Sequence, residues 1–124
     1  MNNFYHEELL EHYKYPKNKK QITDADFSAG EHNPSCGDII YIEGKLENNI
    51  LIDVGFDGKG CVISQATASL LTDHCLGKTI TEILAITESS ILTLIGISLG
   101  PVRTKCAILP LQVLKKGLVL FSKQ

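Results

Sequence analysis

A chain of 124 residues with 44% apolar and 21% charged residues has the composition of one globular domain, spanning 1–124. Disorder, collagen and coiled coil are excluded by that balance. Twelve Lys and Arg against fourteen Asp and Glu leave a net charge of −2, which argues against a nucleic-acid binder built to neutralise phosphates.

Residues 3–15 read as an amphipathic helix, with Phe4, Leu9, Leu10 and Tyr13 at helical spacing and Pro16 ending it. Lys14, Lys17, Lys19 and Lys20 follow, as a solvated surface or as a docking patch for an acidic partner. A short edge strand is expected near residues 21–27, then a rigid turn over Asn33-Pro34-Ser35-Cys36-Gly37-Asp38. Ile40, Ile42 and Leu46 alternate in one strand, and Ile50, Ile52, Val54 and Phe56 in the next. Asn48-Asn49 between them fits a tight hairpin, because both residues tolerate positive φ. Gly58-Lys59-Gly60-Cys61 leaves the strand sharply, and a helix is expected from Ile63 to Gly77. Thr79-Ile80-Thr81-Glu82 matches a capping box, opening a helix with Ile83, Leu84 and Ile86 inward. Residues 89–100 read as a short helix and loop, and residues 103–121 as a last helix. Pro110 cannot donate to the carbonyl of Cys106. Either that helix kinks, or it begins near Pro110 and leaves Cys106 in a turn. The fold class is α+β, with a short antiparallel sheet of about three strands, helices packed on it and a metal site at one end.

Residues 1–10 contain no Lys or Arg and carry Glu7 and Glu8, unlike a secretory or transit segment. The longest near-apolar stretch, 91–102, holds Thr93, Ser98 and two glycines, so no membrane contact is expected. A cytoplasmic location follows, where the four cysteines stay reduced as ligands, nucleophiles or core residues. Cys75, beside Leu71 and Leu76, reads as core. No Cys-x-x-Cys pair exists; 24 residues separate Cys36 from Cys61 and 44 separate Cys61 from Cys106. Position says more than spacing. Cys36 lies in the Pro/Gly turn, Cys61 follows Gly-x-Gly at a helix start, and Cys106 follows Pro101. Asp38 can point toward the same centre, giving three thiolates and one carboxylate. Thiolates suit zinc, cuprous copper or iron–sulfur clusters, and one hard oxygen among them suits a site that binds and releases.

Those three cysteine strings, Asn33–Asp38, Gly58-Lys59-Gly60-Cys61-Val62-Ile63-Ser64 and Arg103-Thr104-Lys105-Cys106-Ala107, resemble the IscU/SufU/NifU N-terminal family. His12-Tyr13-Lys14-Tyr15-Pro16-Lys17-Asn18 resembles its N-terminal segment, so the likeness covers essentially the whole chain. The resemblance implies ligand roles for Cys36, Asp38, Cys61 and Cys106, and a scaffold that assembles a transient [2Fe–2S] cluster from iron and sulfur. The implied partners are a cysteine desulfurase and recipient apo iron–sulfur proteins. Lys105 stands where the IscU branch has His, as in the SufU branch, yet the SufU insertion between the second and third Cys is missing. The alternative is therefore a zinc-dependent sulfurtransferase that relays persulfide sulfur without holding iron. A binding module with structural zinc and, more weakly, a Cys/His hydrolase are the other classes. The IscU chaperone string reads Leu99-Gly100-Pro101-Val102-Arg103 here, with two of five positions changed, which puts a chaperone contact in doubt. Cys106 is the expected persulfide acceptor, tuned by Arg103 and Lys105.

Overall fold

Three antiparallel strands in the order β1-β2-β3 form the sheet: β1 (Phe27–Asn33), β2 (Asp38–Glu47) and β3 (Ile50–Lys59). The structure is a computed structural model and describes residues 3–34 and 37–123. Helix α1 (Asn3–Lys14) precedes the sheet, and α2 (Val62–Cys75), α3 (Ile80–Leu84), α4 (Glu88–Ile95) and α5 (Pro101–Ser122) follow it. Helices α2 and α5 cover one face of the sheet, and α1 packs against α2. The architecture is the expected α+β one.

The β2–β3 hairpin turns at Asn48 and Asn49, with φ of 53° and 64°, the conformation a two-residue turn requires. Ile40, Ile42, Val54 and Phe56 point inward as their alternation predicts. Ile52 does not: it is 50% exposed, while Leu51 is fully buried. Leu46 pairs with Leu51 but Lys45 pairs with Asp53, so Ile52 is the extra residue of a β-bulge. A bulge reverses the inside–outside phase, which simple alternation does not anticipate.

Two further expectations need correction. The edge strand is Phe27–Asn33, later than residues 21–27. Asp24 has φ 54°, which breaks an extended run. The residues before β1 are instead fastened by side chains: Glu43 Oε1 accepts from the Ile22 amide (2.8 Å) and Asp26 Oδ2 from that of Leu46 (2.7 Å). On α1, Leu9 is buried but Tyr13 is exposed, and the side chain of Phe4 lies outside the described ones.

Helix α2 begins one residue before the expected Ile63. The capping box at Thr79 is present, with Glu82 N donating to Thr79 Oγ1 (3.1 Å) and Thr79 N to Glu82 Oε1 (2.9 Å). Helix α4 closes on Gly96 in the left-handed conformation. Helix α5 is one continuous helix through Pro110, starting with Pro101 at its first turn, where a proline costs no hydrogen bond. Pro110 is buried among core residues of the helix, so packing outweighs the ladder bond it cannot make. Cys106 therefore sits in the second turn of α5, not in a preceding turn.

Lys17 and Lys20 form exposed ion pairs with Asp73 (3.6 Å) and Asp53 (2.9 Å), which gives half of the lysine cluster a solvated, paired role. No described helix is long and apolar enough to cross a membrane.

Candidate metal centre

Asp38 opens β2 and is fully buried. Strand β3, paired beside β2, ends at Lys59, and Gly60 then turns the chain at φ 132°. That turn delivers Cys61 as the N-cap of α2, with its backbone and sulfur facing the carboxylate. The Cys61 amide donates to Asp38 Oδ1 (2.7 Å), and its Sγ–H donates to Oδ2 (3.4 Å). A carboxylate accepting a backbone N–H at a helix start is a strong, charge-assisted arrangement. Cys106 comes in from α5 and is 1% exposed.

The ligand atoms of Asp38, Cys61 and Cys106 all lie within 4.8 Å of one another. A tetrahedral zinc with bonds of 2.0–2.3 Å holds its donors about 3.3–3.8 Å apart, so a modest contraction fits this group to an ion. The donor chemistry fits too, with two soft sulfurs and one oxygen. Cys36 lies outside the described residues.

Arg103 and Lys105 occupy the first two turns of α5 and are exposed; neither forms an ion pair among the described residues. Arg103 borders a cleft of about 670 Å³ together with Cys61, Leu9, Leu10, Val62 and Leu99. Lys105 does not line it. The cleft makes the half-buried Cys61 the member of the trio that faces an open volume.

Cys75 is core, as expected. It is fully buried, and burial pushes its thiol up to about 12. Thiol reagents should therefore leave Cys75 unmodified in the native protein and label it only after denaturation. Peptide mass mapping checks this, and native labelling of Cys75 would contradict the packing. His12 serves structure, with Nδ1 2.8 Å from Ser69 Oγ; burial lowers its pKa, against the opposing pull of Glu8.

One neighbour was not singled out by the sequence. Gln65, one turn beyond Cys61 on α2, is 8% exposed, and neither its Nε2 nor its Oε1 has a hydrogen-bond partner among the described residues. The signal available was its i+4 spacing from Cys61.

Similarity to known proteins agrees with this geometry. Residues 4–124 match the family described as NifU-like N terminal domain. The chain is 34% identical to the zinc-dependent sulfurtransferase SufU of Bacillus subtilis (strain 168), over 94% of this chain and 90% of that protein. It is 33% identical to the iron–sulfur cluster assembly scaffold protein IscU 1 of Archaeoglobus fulgidus, over 97% of this chain and 78% of that one. Among solved structures, a proposed cluster assembly scaffold protein for the SUF system of Fervidobacterium islandicum AW-1 superposes with a TM-score of 0.78 at 26% identity. It covers 90% of this chain and 94% of that chain. A family match over nearly the whole length, and relatives above 30% identity over most of theirs, place the chain in the NifU-like N-terminal domain family.

Proposed function

We propose that this protein is an iron–sulfur cluster assembly scaffold, which accepts sulfur from a cysteine desulfurase, binds iron, builds a transient [2Fe–2S] cluster and passes it to recipient apoproteins. The observation that carries this reading is the meeting of Asp38, Cys61 and Cys106 donor atoms within 4.8 Å. Cys36, two residues before Asp38 in the sequence, is the fourth ligand of the proposal. The buried carboxylate supplies the exchangeable member of the set.

Sulfur enters by exchange. Cys106 is buried, so the docked desulfurase must first uncover it; its thiolate then attacks the terminal sulfur of the desulfurase persulfide. A new S–S bond forms on Cys106, the old one breaks, and the electron pair leaves on the desulfurase thiolate. Reduction of that sulfur to sulfide then takes two electrons from an added thiol reductant. Arg103 and Lys105 supply positive charge on the same helix turns. Serine at 106 should abolish persulfide uptake, read as loss of the added sulfur mass; normal uptake would move the acceptor role to Cys36 or Cys61.

Lys105 in place of His, and the similarity to a zinc-dependent sulfurtransferase, favour a second reading. In it zinc is resident and sulfur is relayed without iron. Here Asp38, Cys61, Cys106 and Cys36 would hold the zinc, which supplies ordering of the site and a softened thiolate nucleophile.

Anaerobic reconstitution with ferrous iron, cysteine, a thiol reductant and a cysteine desulfurase separates the two. A visible-absorbing cluster that forms and moves to apo-ferredoxin supports the scaffold. Persulfide uptake with bound zinc and no iron loading supports the relay.

A further inference from the structure

We propose that Gln65 is a positioning residue of the metal centre: its side-chain amide donates a hydrogen bond to the Cys61 sulfur when that sulfur is bound to a metal ion. The inference rests on the metal-binding reading above.

Helix α2 turns one polar stripe toward α1 and the segment that follows it. Ser69 Oγ accepts from the Lys17 amide (2.7 Å) and meets His12, and Thr72 Oγ1 accepts from Asn18 Nδ2 (3.2 Å). Stepping back by four residues from Ser69 reaches Gln65 and then Cys61, so all lie along one face. Most other buried polar side chains on α2 are bonded: Ser64 Oγ donates to Cys61 O (3.2 Å), and Thr72 Oγ1 also donates to Ala68 O (2.7 Å). Gln65 leaves a whole amide buried, with neither of its polar atoms partnered among the described residues. Nothing in the structure explains the Thr67 hydroxyl, which shares that state.

A buried amide without a partner destabilises the fold, and leucine or methionine would fill the place without that cost. Helical side chains lean toward the N-terminus of their helix, which for Gln65 is the direction of Cys61. Four residues along a helix span about 6 Å, within the combined reach of a glutamine and a cysteine side chain. While it keeps its proton the Cys61 thiol is itself a donor, bonded to Asp38 Oδ2, and a thiol is a weak acceptor. A metal ion held by Asp38 and Cys61 would take the place of that proton. The sulfur would then be an anionic acceptor and the Gln65 amide N–H would gain its partner. Such outer contacts orient ligands and tune the metal's binding.

The test uses the full chain, with Co²⁺ as a spectroscopic probe and Zn²⁺ competition for affinity, in wild type, Gln65→Leu and Gln65→Met. The metal-free variants should melt at or above the wild-type temperature. Metal affinity should fall by roughly 10- to 100-fold. The sulfur-to-cobalt charge-transfer band should move to lower energy, because an N–H bond stabilises the sulfur lone pair it touches. A structural role alone would not move that band. Wild-type affinity and an unmoved band in a folded variant would overturn the role of Gln65 alone. A wild type without thiolate–cobalt bands would overturn the metal reading and this role with it. The Met variant keeps the side chain's length and decides the matter if Leu fails to fold.

Discussion

Gly60→Ala should lower the stability by about 2–4 kcal/mol and abolish metal uptake, since the turn has no room for a side chain. Gly60 adopts φ 132°, where a side chain costs of order 1–3 kcal/mol in strain. A Cβ there would also run into the Asp38 carboxylate and lie 2.8 Å from the Asp38 Cα. Relief requires β2 and the start of α2 to separate, which opens the Asp38–Cys61 bonds. At roughly 4 °C per kcal/mol for a domain of this size, the melting temperature should fall by about 8–16 °C. Gly77→Ala is the control. It also has positive φ, 86°, but nothing lies within 4 Å of the added Cβ. Only the backbone cost, about 1–2 kcal/mol, should appear there, with metal uptake intact. Equal effects of the two substitutions, by calorimetry and zinc titration, would contradict the crowding argument.

Asp38→Ala and Asp38→Asn should separate the carboxylate's structural work from its ligand work. Alanine leaves the Cys61 N–H without its acceptor and should cost about 1–3 kcal/mol. Asparagine keeps a carbonyl oxygen for that N–H and should lose less stability. Both remove the anionic oxygen, so both should weaken zinc binding by more than about 100-fold, beyond what outer-shell changes cost. Under the scaffold reading the Ala variant should also hold a reconstituted cluster longer, because the exchangeable ligand is gone. Unchanged zinc affinity in Asp38→Asn would remove Asp38 from the ligand set. Loss of metal and sulfur uptake with no cluster gained would favour the zinc relay.

Local chemistry made much of the fold legible. Asn48-Asn49, the Thr79 capping box and the Gly58–Cys61 exit each require a particular backbone, and the structure has each. The misread parts are those where pairing or packing overrides local preference. Phe27–Asn33 includes Ala29, Gly30, Glu31 and Asn33, poor strand formers, and is a strand because it pairs with β2 along its whole length. Ile52 looks like a core residue until the bulge turns it out. Pro110 looks like a helix end until the two sides of α5 are seen to be packed. In the metal centre, motif positions pointed to Asp38, Cys61 and Cys106 together. Gln65 stayed hidden because a glutamine in a helix carries no signal of being buried. Arg103 lies beside the cleft and Lys105 outside it, a distinction of helix phase that adjacency in the sequence conceals.

The three clustered donors come from a strand, the start of one helix and the second turn of another, with 44 residues between Cys61 and Cys106. What seats Cys106 lies further along α5. Gly117 rests so closely on the Phe27 ring that an added Cβ would come 2.7 Å from it, and Leu114 and Leu118 are fully buried. A nascent chain that has just exposed Cys106 thus owns every donor and still has no pocket for an ion. The centre can come into being only after the last helix has docked on the first strand. A bound ion would then report that α5 has docked, and a chain cut before Gly117 should fail to take up metal despite carrying every proposed ligand.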